Sequence, residues 1–164
     1  MALIIFTDKI NSGKSEMINK MAEDNNFNGF VQLKKNNKRY IKYLETNFIE
    51  ELTCCNHTNK KTISIGNYIF NEEIFCNLNN LISRSSESKN RLFVIDEWGL
   101  LEKQGMGLFK GINYLIKEKL FIKNNYLIII RDWLFDDFFQ SNHLHNADLI
   151  KCNMLNIKDI LNNC

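Results

Sequence analysis

Residues 2–16, ALIIFTDKINSGKSE, decide how the chain is read. Leu3 to Phe6 is a short apolar run of the kind that forms a buried strand. A polar loop follows, through Asp8, Lys9, Ile10, Asn11 and Ser12. It ends in Gly13-Lys14-Ser15, where a helical pattern opens with Glu16. Strand, loop, Gly-Lys-Ser and helix in that order predict a phosphate-binding loop over residues 8–16. Backbone N–H groups of such a loop surround phosphate oxygens, helped by the positive end of the helix dipole. Lys14 would place a point charge on β- and γ-phosphates, and the Ser15 hydroxyl would ligate Mg²⁺. Gly13 has no Cβ to hold the phosphates off. Asp8 departs from the pattern G-x-x-x-x-G-K-[ST], which has glycine there. Asp tolerates left-handed backbone, so the turn can survive, but a carboxylate suits a triphosphate only if it points away.

The second anchor is Leu92-Phe93-Val94-Ile95-Asp96-Glu97. Continuous apolar strands belong to parallel sheets covered on both faces, and ligands bind at the carboxyl ends of such strands. Asp96 and Glu97 read equally well as caps of a following loop. Their pairing with Gly13-Lys14-Ser15 favours one site, in which Asp96 holds Mg²⁺ and Glu97 activates the attacking water. Phosphoryl transfer asks mainly for charge neutralisation, in-line positioning and a base near the nucleophile.

Between the anchors, Met17, Ile18, Met21 and Ala22 predict a helix from about Lys14 to Asn25. A strand from near Gly29, a turn at Lys35-Asn36-Asn37-Lys38 and a strand over Arg39–Glu45 read as a hairpin inserted after that helix. Residues 48–61 are expected to be irregular, Thr62–Ile65 a short strand and Gly66-Asn67 a turn. Asn71 can cap a helix whose stripe is Ile74, Phe75, Leu78, Leu81 and Ile82, and Ser83–Asn90 reads as a polar loop. Beyond the second anchor come a helix with Leu108, Phe109, Ile112, Leu115 and Ile116, and a buried strand over Tyr126–Ile130. Arg131 follows that strand. Two roles are open to it: reaching a γ-phosphate, or pairing with Asp132, Asp136 or Asp137. A short helix around Leu134–Phe139, a last strand over Ala147–Lys151 and a terminal helix at Ile157–Leu161 complete an α/β pattern with a mostly parallel sheet flanked by helices.

The 164 residues fit one domain with a full core. A net charge of +2 and no basic face or Arg-rich run give no reason to expect a nucleic-acid partner. The N-terminal apolar run is too short and lacks a basic flank for a signal peptide. No stretch approaches the roughly 18 apolar residues of a membrane span. A cytoplasmic protein is expected, its five cysteines (Cys54, Cys55, Cys76, Cys152, Cys164) reduced and some buried as small hydrophobes. Cys54-Cys55-x-His57 and His143-x-His145 lack a matching second pair, so no zinc site is expected. Nothing in the sequence names a protein partner.

The chain resembles the small nucleoside-triphosphatases of the cancer-related or thermophile type. The likeness runs through the N-terminal loop, the Gly29-Phe30 strand and hairpin, and Ile65-Gly66-Asn67-Tyr68-Ile69-Phe70. It continues in Val94-Ile95-Asp96-Glu97-Trp98-Gly99-Leu100-Leu101-Glu102, Gly105-x-Gly107 and Arg131. The Asp-Glu-x-Gly-x-x-Glu block is its most specific part. The resemblance implies a RecA-like P-loop sheet and Mg²⁺-dependent cleavage of the β–γ bond of nucleoside triphosphates with broad base preference. Lys14, Ser15, Asp96 and Glu97 carry over directly; Gly99 and Glu102 carry over as motif positions only, for which a local turn and a supporting hydrogen bond are the plain structural expectation. Asp8 and the missing proline-glycine of the loop are the departures.

Two other readings stand beside hydrolysis. A small-molecule or nucleotide kinase would bring an Arg-rich lid, whereas this chain has four dispersed arginines, Arg39, Arg84, Arg91 and Arg131. A non-hydrolysing nucleotide-binding regulator would suit a loop weakened by Asp8. A GTPase switch would need Asn-Lys-x-Asp, but Asn19-Lys20 is followed by Met21-Ala22.

Overall fold

A computed structural model describes residues 1–54, 61–87, 92–145 and 149–162. Nine strands and six α-helices are seen among them: β1 (Leu3–Asp8), α1 (Lys14–Asn25), β2 (Asn28–Lys35), β3 (Lys38–Tyr43), β4 (Ile49–Glu51), β5 (Thr62–Ile65), β6 (Tyr68–Asn71), α2 (Glu72–Arg84), β7 (Phe93–Trp98), α3 (Leu100–Lys103), α4 (Phe109–Lys117), β8 (Tyr126–Arg131), α5 (Phe135–Ser141), β9 (Leu149–Cys152) and α6 (Ile157–Asn162). Seven strands form one sheet in the order β4-β3-β2-β7-β8-β1-β9. β2, β7, β8, β1 and β9 run parallel, and β3 and β4 add antiparallel at one edge. β5 and β6 form a separate ribbon.

Strand alternation divides the core in two, because successive side chains point to opposite faces. Leu3, Ile5, Ile95, Ile128 and Ile130 pack with Ile74, Phe75 and Leu78 of α2 and Ile112 and Leu115 of α4. Ile4, Phe6, Val94, Leu127 and Ile129 pack with Ile18 and Ala22 of α1 and Ile157 of α6. Burial on both faces explains the unbroken apolar runs Leu3–Phe6, Phe93–Ile95 and Tyr126–Ile130 in these strands.

The expected α1, hairpin and α/β architecture are present. Asn36 and Asn37 both take positive φ, 51° and 60°, as a two-residue hairpin turn needs. The hairpin is more than an insertion, since its first strand joins the parallel sheet against β7. The expected Asn71 cap is present, its Oδ1 accepting from Glu73 N–H at 3.1 Å.

Residues 48–61 are not uniformly irregular. Ile49–Glu51 pairs with β3 as an edge strand whose three residues are too few to show a period. Ser85–Glu87, expected in a loop, form a 3₁₀ turn. Tyr68–Asn71 form a strand between the expected Gly66-Asn67 turn and the helix, a stretch for which only the Asn71 cap was expected. Cys55, His57, Arg91, Ala147 and Cys164 lie outside the described residues, so the expected last strand is seen from Leu149 onward. Cys152 is buried in it, its thiol donating to Ile5 carbonyl at 3.5 Å. Among the described residues no helix is long and apolar enough to cross a membrane.

Candidate active site

The chemistry-bearing residues gather where β1, β7 and β8 end at their carboxyl termini. Asp8 on β1 lies in register with Arg131 on β8, and Asp96 on β7 with Ile129. The loop from Lys9 to Gly13 leads into α1, with Gly13 at its N-cap in the left-handed region, φ 88°. A Cβ built on Gly13 would meet nothing within 4 Å. The space it would enter is open. The left-handed positions are Asn11, φ 59°, and Gly13. Asp8 needs no such tolerance, because it ends β1 in strand conformation.

Lys14 is buried over this loop. Its ammonium donates to the Asp8 and Lys9 carbonyls at 2.8 Å each and to Ser12 Oγ at 3.3 Å. Burial lowers its pKa, opposed first by the charge of Asp8 and then by those of Glu97, Asp132 and Asp96. The cation is thus surrounded by acids and by carbonyls that a phosphate would replace. Ile10 is exposed. The side chain of Glu16 pairs with Lys20 at 3.3 Å on the outer surface of α1, so only its backbone faces the loop's helix entry.

Asp96 is fully buried. The β2–β7 ladder ends at Phe30↔Ile95, and Asp96 Oδ2 continues it by accepting from Gln32 N–H at 2.9 Å. Oδ1 has no hydrogen-bond partner. Burial first, and the Glu97 charge second, raise this carboxyl to about 7, while the neighbouring Ser15 hydroxyl and Gln32 amide oppose the shift. A buried carboxyl with one oxygen left over, and a serine hydroxyl against the same carboxyl, make the kind of hard oxygen donor set that a Mg²⁺ ion accepts. The residues fit that ion.

Glu97 owes its position to a register shift between β7 and β8. Asp96 faces Ile129 and Trp98 faces Ile130, leaving Glu97 as the extra residue. Such a bulge re-aims a side chain. Trp98 can then point into the core against Phe138 and Phe109, while Glu97 turns to Arg131. Arg131 Nε and Nη2 both donate to Glu97 Oε1, at 3.0 and 2.5 Å. Among the aspartates expected as alternative partners, Asp137 instead pairs with Lys103 at 2.6 Å.

The Asp-Glu-x-Gly-x-x-Glu block has a concrete structural reason. Glu102 is buried, its Oε2 accepting from Gly99 N–H at 2.8 Å and its Oε1 from Leu108 N–H at 2.9 Å. One carboxylate therefore caps α3 and holds the turn that launches α4. Gly107, at φ 58°, passes so close that a Cβ would lie 2.3 Å from Glu102 Oε1. Sequence reasoning missed two other contributors, the amides of Gln32 and Met154, because backbone donors leave no side-chain signature.

Comparison with known proteins agrees with this fold. By structure the chain is similar to THEP1 from the hyperthermophile Aquifex aeolicus, with a TM-score of 0.66 over 99% of this chain and 96% of that one, at 18% identity. That likeness supports the P-loop fold. The curated proteins offer no significant sequence match. A sequence model of a family described as NTPase matches residues 3–131, a span that includes the phosphate loop, Asp96-Glu97 and Arg131. The chain belongs to this NTPase family.

Proposed function

We propose that the protein hydrolyses nucleoside triphosphates to the diphosphate and phosphate in a Mg²⁺-dependent reaction. The observation that carries this reading is the gathering of Lys14 and Ser15, which follow β1, with Glu97 and the orphaned Oδ1 of Asp96, which end β7, at the carboxyl ends of the two strands that flank β8. Ser15 and Asp96 would hold the ion, which when bound would supply positive charge against the triphosphate. Lys14 leaves the loop carbonyls for the phosphates and adds a fixed positive charge. Arg131 leaves Glu97 for the γ-phosphate, and the released carboxylate takes a proton from the attacking water. The water oxygen bonds to the γ-phosphorus as the bond to the β–γ bridging oxygen breaks. The diphosphate departs with that oxygen.

The test is phosphate release from ATP, GTP, CTP and UTP, with and without Mg²⁺, for the wild type, Glu97→Gln and Lys14→Ala. Metal-dependent turnover that both variants cripple is expected. No release from any triphosphate, or release indifferent to both substitutions, overturns the proposal. Transfer to an acceptor that outpaces hydrolysis would move the reaction to the kinase class.

A further inference from the structure

The phosphate loop carries a carboxylate where the general pattern has glycine, and that carboxylate joins segments far apart in sequence. Asp8 Oδ1 accepts from Lys9 N–H at 2.7 Å, and Oδ2 accepts from Met154 N–H at 3.2 Å, across 146 residues. Met154 lies at the corner between β9 and α6. The β1–β9 ladder stops at Phe6↔Cys152, two residues short of this point, so the side chain of Asp8 continues a connection that the backbone has ended. The carbonyl of the same residue accepts from Lys14 Nζ at 2.8 Å. Asp8 thus touches the phosphate-binding lysine with its main chain and the carboxyl-terminal corner with its side chain. Glycine would keep the first contact and lose the second.

We propose that Asp8 is a positioning residue which straps the phosphate loop to the β9–α6 corner through Met154 N–H and so holds the loop in its phosphate-receiving shape. The proposal rests on the nucleotide-hydrolysing reading of the site. The strap works against a repulsion, since the carboxylate shares its loop with a polyanionic substrate. Two amides disperse that charge. Amide-to-carboxylate bonds are charge-assisted, and those from Lys9 and then Met154 hold the Asp8 carboxyl below its usual range. The carboxylate is directed at the corner, which lies beyond the span matched by the family model.

The experiment compares wild type, Asp8→Asn and Asp8→Gly by KM and kcat for Mg·ATP, Kd for Mg·ADP, and hydrogen exchange at the Met154 amide. Losing a charge-assisted bond that orders the loop should raise KM and Kd roughly five- to twentyfold in Asp8→Gly, more than it lowers kcat. Exchange at Met154 should accelerate about tenfold or more. Asp8→Asn, with one acceptor oxygen, should fall between. Equal tightening of nucleotide binding in both variants would make charge the whole role of Asp8 and overturn the strap. Unmoved KM and Kd beside faster Met154 exchange would make it a fold contact only and overturn positioning. If the wild type binds Mg·ADP without hydrolysing ATP, the hydrolase reading fails while Kd and exchange still decide the strap.

Discussion

Arg131 holds Glu97 by two nitrogens on a single carboxylate oxygen, Nε at 3.0 Å and Nη2 at 2.5 Å. The pair is about three-quarters buried, at 25% and 21% exposure, so it is better shielded than a surface ion pair. In this arrangement the proposed base is occupied and the proposed phosphate-stabilising cation is neutralised. A γ-phosphate would separate them by offering the guanidinium a stronger anion.

That exchange makes Arg131→Ala informative. With its cation gone, kcat should fall on the order of 10³-fold. Arg131→Lys should recover little, because an ammonium lacks the planar fork. Single-turnover hydrolysis reads both. A faster Arg131→Ala enzyme would mean that Arg131 only restrains Glu97.

Asp96→Asn should separate stability from activity. Burial of Asp96 raises its carboxyl to about 7, so its ionised form costs the fold stability as pH climbs from the ordinary value of 3.8. Asparagine keeps an acceptor for Gln32 N–H without the charge. The melting temperature should rise by about 2–5 °C, while Mg²⁺-dependent turnover drops at least about 10²-fold. Adding Mg²⁺ should raise the melting temperature of the wild type and leave that of Asp96→Asn where it was. A thermal shift by Mg²⁺ in both proteins would place the ion elsewhere.

Glu102 sets a pH dependence of the fold. Burial lifts its carboxyl from 4.5 to about 7 against the opposing pull of the Leu108 and Gly99 amides. The folded protein keeps this proton over a range where the unfolded chain has released it. Its contribution is therefore greatest below about 4.5 and declines as pH rises towards 7. Urea unfolding from pH 5 to 8 should show wild type losing on the order of 3 kcal/mol relative to Glu102→Gln. A pH-independent difference between the two would mean that the carboxylate is ionised throughout.

Gly107 and Gly105 offer a matched pair. Both have positive φ, 58° and 76°, but only at Gly107 would a Cβ strike Glu102; at Gly105 it meets nothing within 4 Å. Gly105→Ala should cost about 1 kcal/mol from backbone strain alone. Gly107→Ala should cost about 2–4 kcal/mol, because it also displaces a carboxylate held by two amides. Equal costs in urea titration would show that Glu102 moves aside easily.

Much of this architecture was legible from residue order. Runs such as Leu3–Phe6 and Tyr126–Ile130 are apolar at every position because both sheet faces are covered, and Asn36-Asn37 names its own turn. β4 and β6 escaped notice because three or four half-buried residues carry no readable period. Lys14, Ser15, Asp96 and Glu97 could be proposed as site residues from residue type and setting, and the topology puts the ends of β1 and β7 on one side of the sheet. The partner of Arg131 was not, since an extra residue in β7 turns Glu97 toward it and a bulge has no sequence mark here. The part played by Asp8 depended on a backbone amide 146 residues away, to which no pattern of side chains points.

The position of β1 bears on how the molecule is made. Its neighbours in the sheet are β8, which begins at Tyr126, and β9, which begins at Leu149. Its ladder with β8 joins residues 123 apart in sequence, from Leu3↔Tyr126 to Asp8↔Arg131, a long loop to close before any ladder bond rewards it. The hairpin of β2 and β3 and the α2 region can organise from local contacts, whereas β1 and the loop after it depend on long-range pairing. A chain cut before β8 would leave the apolar β1 without either of these ladders, so the loop that follows β1 is framed on both sides only once β8 and β9 have docked.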